Sequence, residues 1–159
     1  MKIEGTEEVT KELMEKTYAG YLSTIDENGF PYIRAVFNLR CIEKFPHPAK
    51  VISEYDEDPY AVYISTNTSS IKVKQIEKNN KVAIYFALPN DVKGVMLQGE
   101  AEILDDIEFK KNIWMENWTV YYPQGYTDPD FTILKISPKL LKGWYIGHLY
   151  YDFEDEEEK

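Results

Sequence analysis

The sequence predicts a mainly β chain of the α+β class, an antiparallel barrel or sandwich with helices outside it. Six or seven segments have the composition of strands, and three have the apolar periodicity of helices. The strands come mainly in adjacent pairs, and the strand–helix–strand alternation of a parallel sheet is missing. The 159 residues fit one domain, expected over residues 1–150 and followed by an acidic C-terminal tail at 151–159.

The first elements are a helix and a hairpin. Thr6 is expected to cap a short helix whose apolar residues lie on one face. Residues 18–25 and 32–39 are predicted strands, joined by a turn at 26–29 that contains an Asn-Gly pair. The proline-containing stretch 40–59 is predicted to be a long loop with room for a short helix.

The remaining elements follow from alternating apolar runs and capping residues. Strands are predicted at 60–65, 81–88, 94–104, 131–137 and 139–146, with a bulge at Gly99. Helices are predicted at 69–79 and 107–115, the second one capped by Asp105 or Asp106. The aromatic-rich stretch 116–129 is predicted to be a loop that either covers a ligand or belongs to the core or a subunit interface.

Charge and composition exclude several classes of function. The net charge is −10, with 28 acidic and 18 basic side chains, which argues against binding to nucleic acid or to an anionic membrane. No apolar run approaches the ~20 residues that a membrane-spanning helix needs. The single cysteine favours a reducing cytoplasm, and with two histidines it is too little for a zinc site, so no metal is expected.

The common catalytic motifs are missing from the sequence. It contains no G-x-S-x-G elbow, no Walker loop, no G-x-G-x-x-G and no H-E-x-x-H. Cys41 has Arg40 beside it but no nearby histidine, which favours a thiol at a strand end over a nucleophile. No catalytic residue can therefore be assigned.

Two sequence features suggest an anion site. Residues 63–74 run from a strand through four Ser/Thr hydroxyls into a helix whose first turn holds Lys72, and a helix N-terminus attracts phosphate. The same hydroxyls could simply cap the helix. Arg34 lies within an apolar strand on the same side as Tyr32 and Val36, where it either faces solvent or meets a specific anion.

These segments resemble the pyridoxamine 5′-phosphate oxidase superfamily, and within it the general-stress-protein type of FMN-binding split barrel. The resemblance rests on the order and spacing of four segments over residues 8–137. They are Arg34-Ala-Val-Phe, Ser65-Thr66-Asn67-x-x-Ser70-x-Lys72, the K-x-x-Q-I-x-x-N-x-K-V-A run of Lys72 to Ala83, and Val95–Ile103.

The resemblance implies a six-stranded antiparallel split barrel that forms a homodimer with FMN between the subunits. It implies that Arg34 and Lys72 contact the FMN phosphate, near the hydroxyls of Thr66 and Ser70, and that the backbone of 34–37 runs along the flavin. The implied cofactor-binding residues are Arg34, Ala35, Val36, Phe37, Ser65, Thr66, Ser70 and Lys72.

Departures from the oxidase pattern leave the substrate open. Ile71 stands where the oxidases have an arginine, and Gly94 where they have a flavin-contacting glutamine. Residues 142–152 lack their C-terminal substrate motif, so vitamin B6 oxidation is not expected. The leading interpretation is an FMN-dependent oxidoreductase; the alternatives are a non-catalytic flavin store and the same barrel holding a deazaflavin or haem.

Overall fold

The chain is built around one strongly curved antiparallel sheet. The computed structural model describes residues 5–145 and 148–154. Its strands are β1 Ala19–Ile25, β2 Pro31–Phe37, β3 Val62–Asn67, β4 Lys81–Leu88, β5 Lys93–Leu104, β6 Phe131–Tyr145 and β7 His148–Glu154. Its α-helices are α1 Thr6–Lys16, α2 Pro46–Tyr55, α3 Ile71–Lys78 and α4 Ile107–Ile113.

The strand order leaves two margins that face each other. The strands run β2-β1-β4-β5-β6-β3, with β7 paired to β6 outside this path. A backbone hydrogen bond from Leu39 N to Tyr63 O, 3.0 Å long, joins the chain after β2 to β3. Within the described residues no ladder pairs β2 with β3, so the barrel is open along this seam.

Two apolar cores lie on opposite faces of the sheet. Alternation along β3 sends Val62 and Ile64 into one core and Tyr63 into the other. The first core fills the barrel and is closed by Leu13 of α1 and Val73 of α3. The second core packs α2, α4 and the aromatic segment 116–129 against β3 and β6. Burial of α3 against the barrel fixes the position of its N-terminus, where Lys72 lies in the first turn.

The predicted fold class is confirmed, and the hairpin 18–39 forms as expected. Its turn uses Gly29 at φ 83°, a conformation that glycine adopts without strain. The bulge predicted at Gly99 is present as a register shift between Gln98 and Gly99. Asp106 caps α4, since its carboxylate accepts hydrogen bonds from the Glu108 and Phe109 backbone amides.

Several predicted boundaries were wrong. The separate strands 131–137 and 139–146 are one strand, β6, because Pro138 lies opposite Gly99 at the bulge, where a missing amide donor is tolerated. The stretch 40–59, expected to be a long loop with room for a short helix, does contain a helix, α2, which begins at Pro46 and takes up half of it. Gly5, not Thr6, occupies the cap position of α1.

The C-terminal region contains a strand that was not predicted. Residues 148–154 form β7, which pairs with β6, so the first residues of the expected tail 151–159 lie in a ladder. Residues 155–159 lie outside the described residues. None of the helices described is both long and apolar enough to cross a bilayer.

Candidate functional site

The candidate site begins with Arg34, which lies on β2 near the open seam. Strand pairing places Arg34 opposite Leu22 of β1, on the sheet face that also buries Val36. The side chain is half-buried, so it is not the fully solvated arginine of a strand's outer face. An arginine in this position needs hydrogen-bond acceptors for its five N–H groups.

Three neutral acceptors hold the guanidinium. Arg34 donates from Nη1 to Thr24 Oγ1 at 2.7 Å and to the Leu22 carbonyl at 3.3 Å, and from Nη2 to Gln75 Oε1 at 3.1 Å. The Thr24 hydroxyl donates in turn to Gln75 Oε1 at 2.5 Å. These bonds close a triangle that joins β2, β1 and α3. Neither Thr24 nor Gln75 is among the cofactor-binding residues predicted from the sequence.

Lys72 approaches the same seam from the other margin. It lies in the first turn of α3, and its Nζ donates to Thr66 Oγ1 at the end of β3, 2.9 Å away. Thr66 is buried and Lys72 half-buried. Since α3 follows β3 and also carries Gln75, this one helix connects the Lys72 and Arg34 sides of the site.

The positive charge of Arg34 acts on Lys72. Burial lowers the pKa of Lys72, and the positive charge of Arg34 lowers it further. Burial also lowers the pKa of Arg34. No salt bridge to Arg34 or Lys72 is formed by the part of the chain that the structure describes. Two desolvated cations without a carboxylate make a favourable site for an anion.

Ser70 leaves a buried hydroxyl free at the start of α3. Its Oγ is the only buried side-chain polar atom without a hydrogen-bond partner among the described residues. Ser70 occupies the cap position, yet its side chain makes no capping hydrogen bond. Simple helix capping, the alternative explanation of this serine, therefore does not account for its hydroxyl. A buried unpaired polar atom is rare in folded proteins, so the Ser70 hydroxyl is a hydrogen-bonding group that the described protein atoms leave available.

A carboxylate positions the loop that carries these hydroxyls. Asp130, just before β6, accepts hydrogen bonds from Asn67 Nδ2 at 2.6 Å and from the Ser69 backbone amide at 2.8 Å. These two bonds lower the pKa of Asp130, with the Asn67 bond contributing most. The backbone carbonyl of Asp130 also accepts from Thr68 N. The loop between β3 and α3 is thereby tied to β6.

Val36 is buried on the same face of β2 as Arg34, whereas three other predicted site residues lie on other faces. Ala35 and Phe37 alternate with Arg34 and are exposed on the opposite face of β2. Ser65 alternates with Thr66, so its side chain lies on the Tyr63 side of β3, away from the barrel core. The structure bonds Lys72 to Thr66 and brings the charge of Arg34 near enough to lower the pKa of Lys72, and Ser70 begins the same helix. The side chains of Ala35, Phe37 and Ser65 lie on other faces.

The two departures from the oxidase pattern have distinct environments. Ile71, at the position of the oxidase arginine, is exposed. Gly94 is crowded: a side chain there would meet the Tyr85 hydroxyl and the indole of Trp144. Trp144 Nε1 donates to Tyr85 Oη at 2.5 Å. These two aromatic residues occupy the space that a glutamine at position 94 would need.

The aromatic segment divides between core and surface. Trp118 and Tyr122 are buried in the second core and pack on Phe131. Trp114 packs against the same cluster, whereas Tyr121 is 68% exposed.

His47 Nε2 lies 2.8 Å from the Asn112 carbonyl. Over residues 5–145 and 148–154, no three His, Cys, Asp or Glu side chains are grouped to hold a metal ion.

The open antiparallel barrel defines the class of this protein as a split barrel. The family model described as "Pyridoxamine 5′-phosphate oxidase like" matches residues 48–148, more than half of the chain. The chain therefore belongs to the pyridoxamine 5′-phosphate oxidase like family, as the sequence resemblance predicted.

Two relatives define how near the likeness is. The pyridoxine/pyridoxamine 5′-phosphate oxidase of Escherichia fergusonii is 34% identical over 90 residues, which is 57% of this chain. That match spans only 34% of the length of the oxidase. A solved protein from Clostridium acetobutylicum, described as related to general stress protein 26 of Bacillus subtilis, is 31% identical with a TM-score of 0.72 and covers 93% of both chains.

Two more distant structures share the fold. A pyridoxamine 5′-phosphate oxidase-related, FMN binding protein from Nostoc punctiforme has a TM-score of 0.59 at 13% identity and covers 98% of both chains. A protein described as an F420 reductase has a TM-score of 0.56 at 18% identity, covering 82% of this chain and 94% of its own. At these identities the likeness concerns the fold alone.

Proposed function

We propose that this chain binds FMN, with the cofactor's phosphate held by Arg34, Thr66, Ser70 and Lys72, and that it is a flavin-dependent oxidoreductase. A phosphate monoester carries nearly two negative charges near neutral pH. Its three oxygens accept hydrogen bonds from guanidinium, ammonium and hydroxyl donors. The site offers these three donor types at one seam.

The pairing of the two cations carries the proposal. Arg34 and Lys72 are half-buried, and each donates only to neutral oxygens in the hydrogen bonds of the described structure. The whole chain has a net charge of −10, so its average field repels anions. A local cationic site maintained against that field is well suited to a dianion, and the unpartnered Ser70 hydroxyl provides a further donor.

The protein's own groups would bind and orient the cofactor. Arg34 and Lys72 would hold the phosphate, and the backbone of residues 35–37 together with Ser65 would contact the rest of the cofactor. Bound flavin supplies hydride and single-electron chemistry that amino acid side chains lack. No acid or base residue of this chain is assigned. The substrate is not assigned either, because Ile71 and Gly94 differ from the residues that the oxidases have at these positions.

The first experiment is the absorption spectrum of the untreated purified protein, followed by titration of flavin-free protein with FMN and with riboflavin. The proposal requires the two-band flavin spectrum, or stoichiometric FMN binding, and a clear preference for FMN over riboflavin. Equal affinity for the two flavins would show that no phosphate site exists. A single intense band would instead indicate haem.

Turnover separates an enzyme from a flavin store. An oxidoreductase bleaches when it is given a reduced nicotinamide and recovers with a quinone, oxygen or a nitro compound. A protein that binds FMN but stays oxidised under all these conditions would be a store.

Titration with a deazaflavin tests the second cofactor candidate, which the fold likeness to an F420 reductase suggests.

A second copy of the chain is proposed to complete the site. The outer face of the hairpin exposes Ile33 (66%), Tyr21 (49%) and Phe37 (47%), which is unusual for neighbouring residues on an edge hairpin. A homodimer would cover this face and bring the seam of one subunit against its partner. Light scattering during size-exclusion chromatography measures the assembly state directly.

A further inference from the structure

We propose that Gln75 is a positioning residue of the anion site, which fixes the Arg34 guanidinium through a neutral oxygen and so leaves its full charge to the cofactor phosphate. This inference rests on the proposed function, because it assigns Gln75 a role in binding the same phosphate. Thr24 completes the arrangement as the second neutral partner. Neither residue is expected to touch the cofactor.

The geometry makes the amide oxygen of Gln75 the centre of the arrangement. Gln75 Oε1 accepts from Arg34 Nη2 at 3.1 Å and from Thr24 Oγ1 at 2.5 Å. Thr24 Oγ1 accepts from Arg34 Nη1 at 2.7 Å. The side chain of Arg34 is thus held at two nitrogens by two partners that are themselves bonded to each other, which restricts its rotation. Thr24 is fully buried, so its hydroxyl is a rigid partner.

The charge of the acceptor is the decisive property. A glutamate at position 75 would offer an oxygen in the same place and would form an ion pair with Arg34. Such a pair would hold the guanidinium at least as firmly, but its negative charge would oppose a nearby phosphate. Acidic residues are abundant in this chain, with 28 Asp and Glu. A neutral amide in contact with a half-buried arginine is therefore consistent with keeping the site cationic.

Gln75→Glu is therefore expected to weaken FMN binding without lowering the stability of the fold. Gln75→Glu strengthens the contact with Arg34 and weakens FMN binding, whereas a purely structural contact would affect both in the same direction. Asn80→Asp is a matched control, since it makes the same amide-to-carboxylate change at an exposed position just beyond α3. Gln75→Met removes the acceptor at similar volume and adds no charge.

The experiment measures FMN and riboflavin affinities by flavin fluorescence, with thermal unfolding of the flavin-free proteins. For Gln75→Glu we expect FMN affinity to fall by about tenfold or more, on the scale of one charge-assisted hydrogen bond, with riboflavin affinity and melting temperature maintained. Gln75→Met should lose a smaller factor for FMN. Asn80→Asp should match the unchanged protein.

The outcomes distinguish this inference from the proposed function. If the unchanged protein binds FMN and Gln75→Glu binds it as tightly as Asn80→Asp does, the positioning role is wrong and FMN binding stands. If both Gln75 variants lose FMN and riboflavin equally and melt earlier, Gln75 is structural only and the inference is also wrong. If the unchanged protein binds no FMN, the proposed function fails and takes this inference with it.

Discussion

Lys72 Nζ donates to Thr66 Oγ1 over 2.9 Å, and this bond connects the first turn of α3 to the last residues of β3. The bond holds the ammonium group beside β3, near enough to Arg34 that the charge of Arg34 lowers the pKa of Lys72. A hydroxyl is well suited to this purpose because it accepts a hydrogen bond without neutralising the lysine.

The Thr66 hydroxyl is predicted to contribute modestly to cofactor binding. Thr66→Val keeps the branched shape at this buried position but removes the acceptor for Lys72. Loss of one such bond should weaken FMN by about 1 kcal/mol, a factor of about five. Fluorescence titration of the variant measures the change, and an affinity equal to that of the unchanged protein would contradict a positioning role for this bond.

Removal of either cation is predicted to weaken FMN binding strongly. Arg34→Ala and Lys72→Ala should each cost about 1.5–3 kcal/mol, because each deletes a charge-assisted contact to the phosphate. Lys74→Ala is the matched control, since Lys74 lies on the same helix but is exposed. Isothermal titration gives the three values. Unaltered flavin affinity in both the Arg34 and Lys72 variants would contradict the proposed assignment of the phosphate site.

The lowered pKa of Lys72 predicts opposite effects of alkaline pH on binding and stability. In the free protein, burial and Arg34 place this pKa below its ordinary value of 10.5. A bound phosphate favours the protonated amine, so FMN affinity should fall as pH rises through the lowered pKa. Between that pKa and 10.5 the unfolded chain holds more protons than the folded one, so the stability of flavin-free protein should rise with pH.

Lys72→Met separates this effect from the titration of other groups. The difference between the two proteins in FMN affinity should shrink with increasing pH, as measured by titrations across the alkaline range. Denaturant unfolding of the flavin-free proteins should show the stability trend in the unchanged protein and a weaker one in Lys72→Met. Parallel curves for the two proteins would mean that Lys72 does not titrate with the ligand.

Gly99 is predicted to tolerate no side chain. A Cβ at this position would collide with the Ser137 carbonyl and the Pro138 backbone across the bulge. Gly99→Ala should therefore cost about 1–3 kcal/mol of stability through overpacking against backbone that cannot yield. The midpoint of urea unfolding measures the loss, with Glu100→Ala at the next, exposed position as the comparison. Equal midpoints would show that the bulge relaxes easily.

The exposed hairpin face is predicted to form the homodimer contact. Ile33→Glu places a charge on this face and should convert dimer to monomer, since an unpaired charge is costly in an apolar interface. Ile107→Glu, at an exposed position on α4, serves as the control and should remain dimeric. Light scattering gives the mass of each protein. A dimer that persists in Ile33→Glu would place the interface elsewhere.

Local pattern was sufficient to predict most elements, because apolar alternation, turn residues and caps act within a few positions. Strand β4 was predicted with its observed limits, Lys81–Leu88, and the turn glycine Gly29 was placed correctly. Strand β7 was missed because the acidic composition of residues 152–158 is typical of a solvated tail. Pro138 was predicted to separate two strands, because a proline inside a strand is tolerated only at an irregularity such as a bulge. The bulge that accommodates it lies on β5 at Gly99, far from Pro138 in sequence.

Local pattern also singled out part of the candidate site. Arg34 and Lys72 were singled out because their residue types conflict with their surroundings or complement a helix start. The roles of Thr24 and Gln75 depend on α3 packing beside β1, across 51 positions of sequence. No local period carries that information. Thr24 gave no signal in the sequence. Gln75, one helical turn after Lys72, stood out only as part of the run Lys72 to Ala83.

Helix α3 reaches both free margins of the sheet, with Lys72 bonded to β3 and Gln75 bonded to Arg34 on β2. An anion that contacts both cations would link the β2 and β3 margins of the sheet. Binding of the anion and closure of the seam between these two strands would then be coupled. We expect the loaded protein to melt later and to exchange its β2 and β3 amides more slowly than the empty one, with stabilisation that grows as the logarithm of ligand concentration.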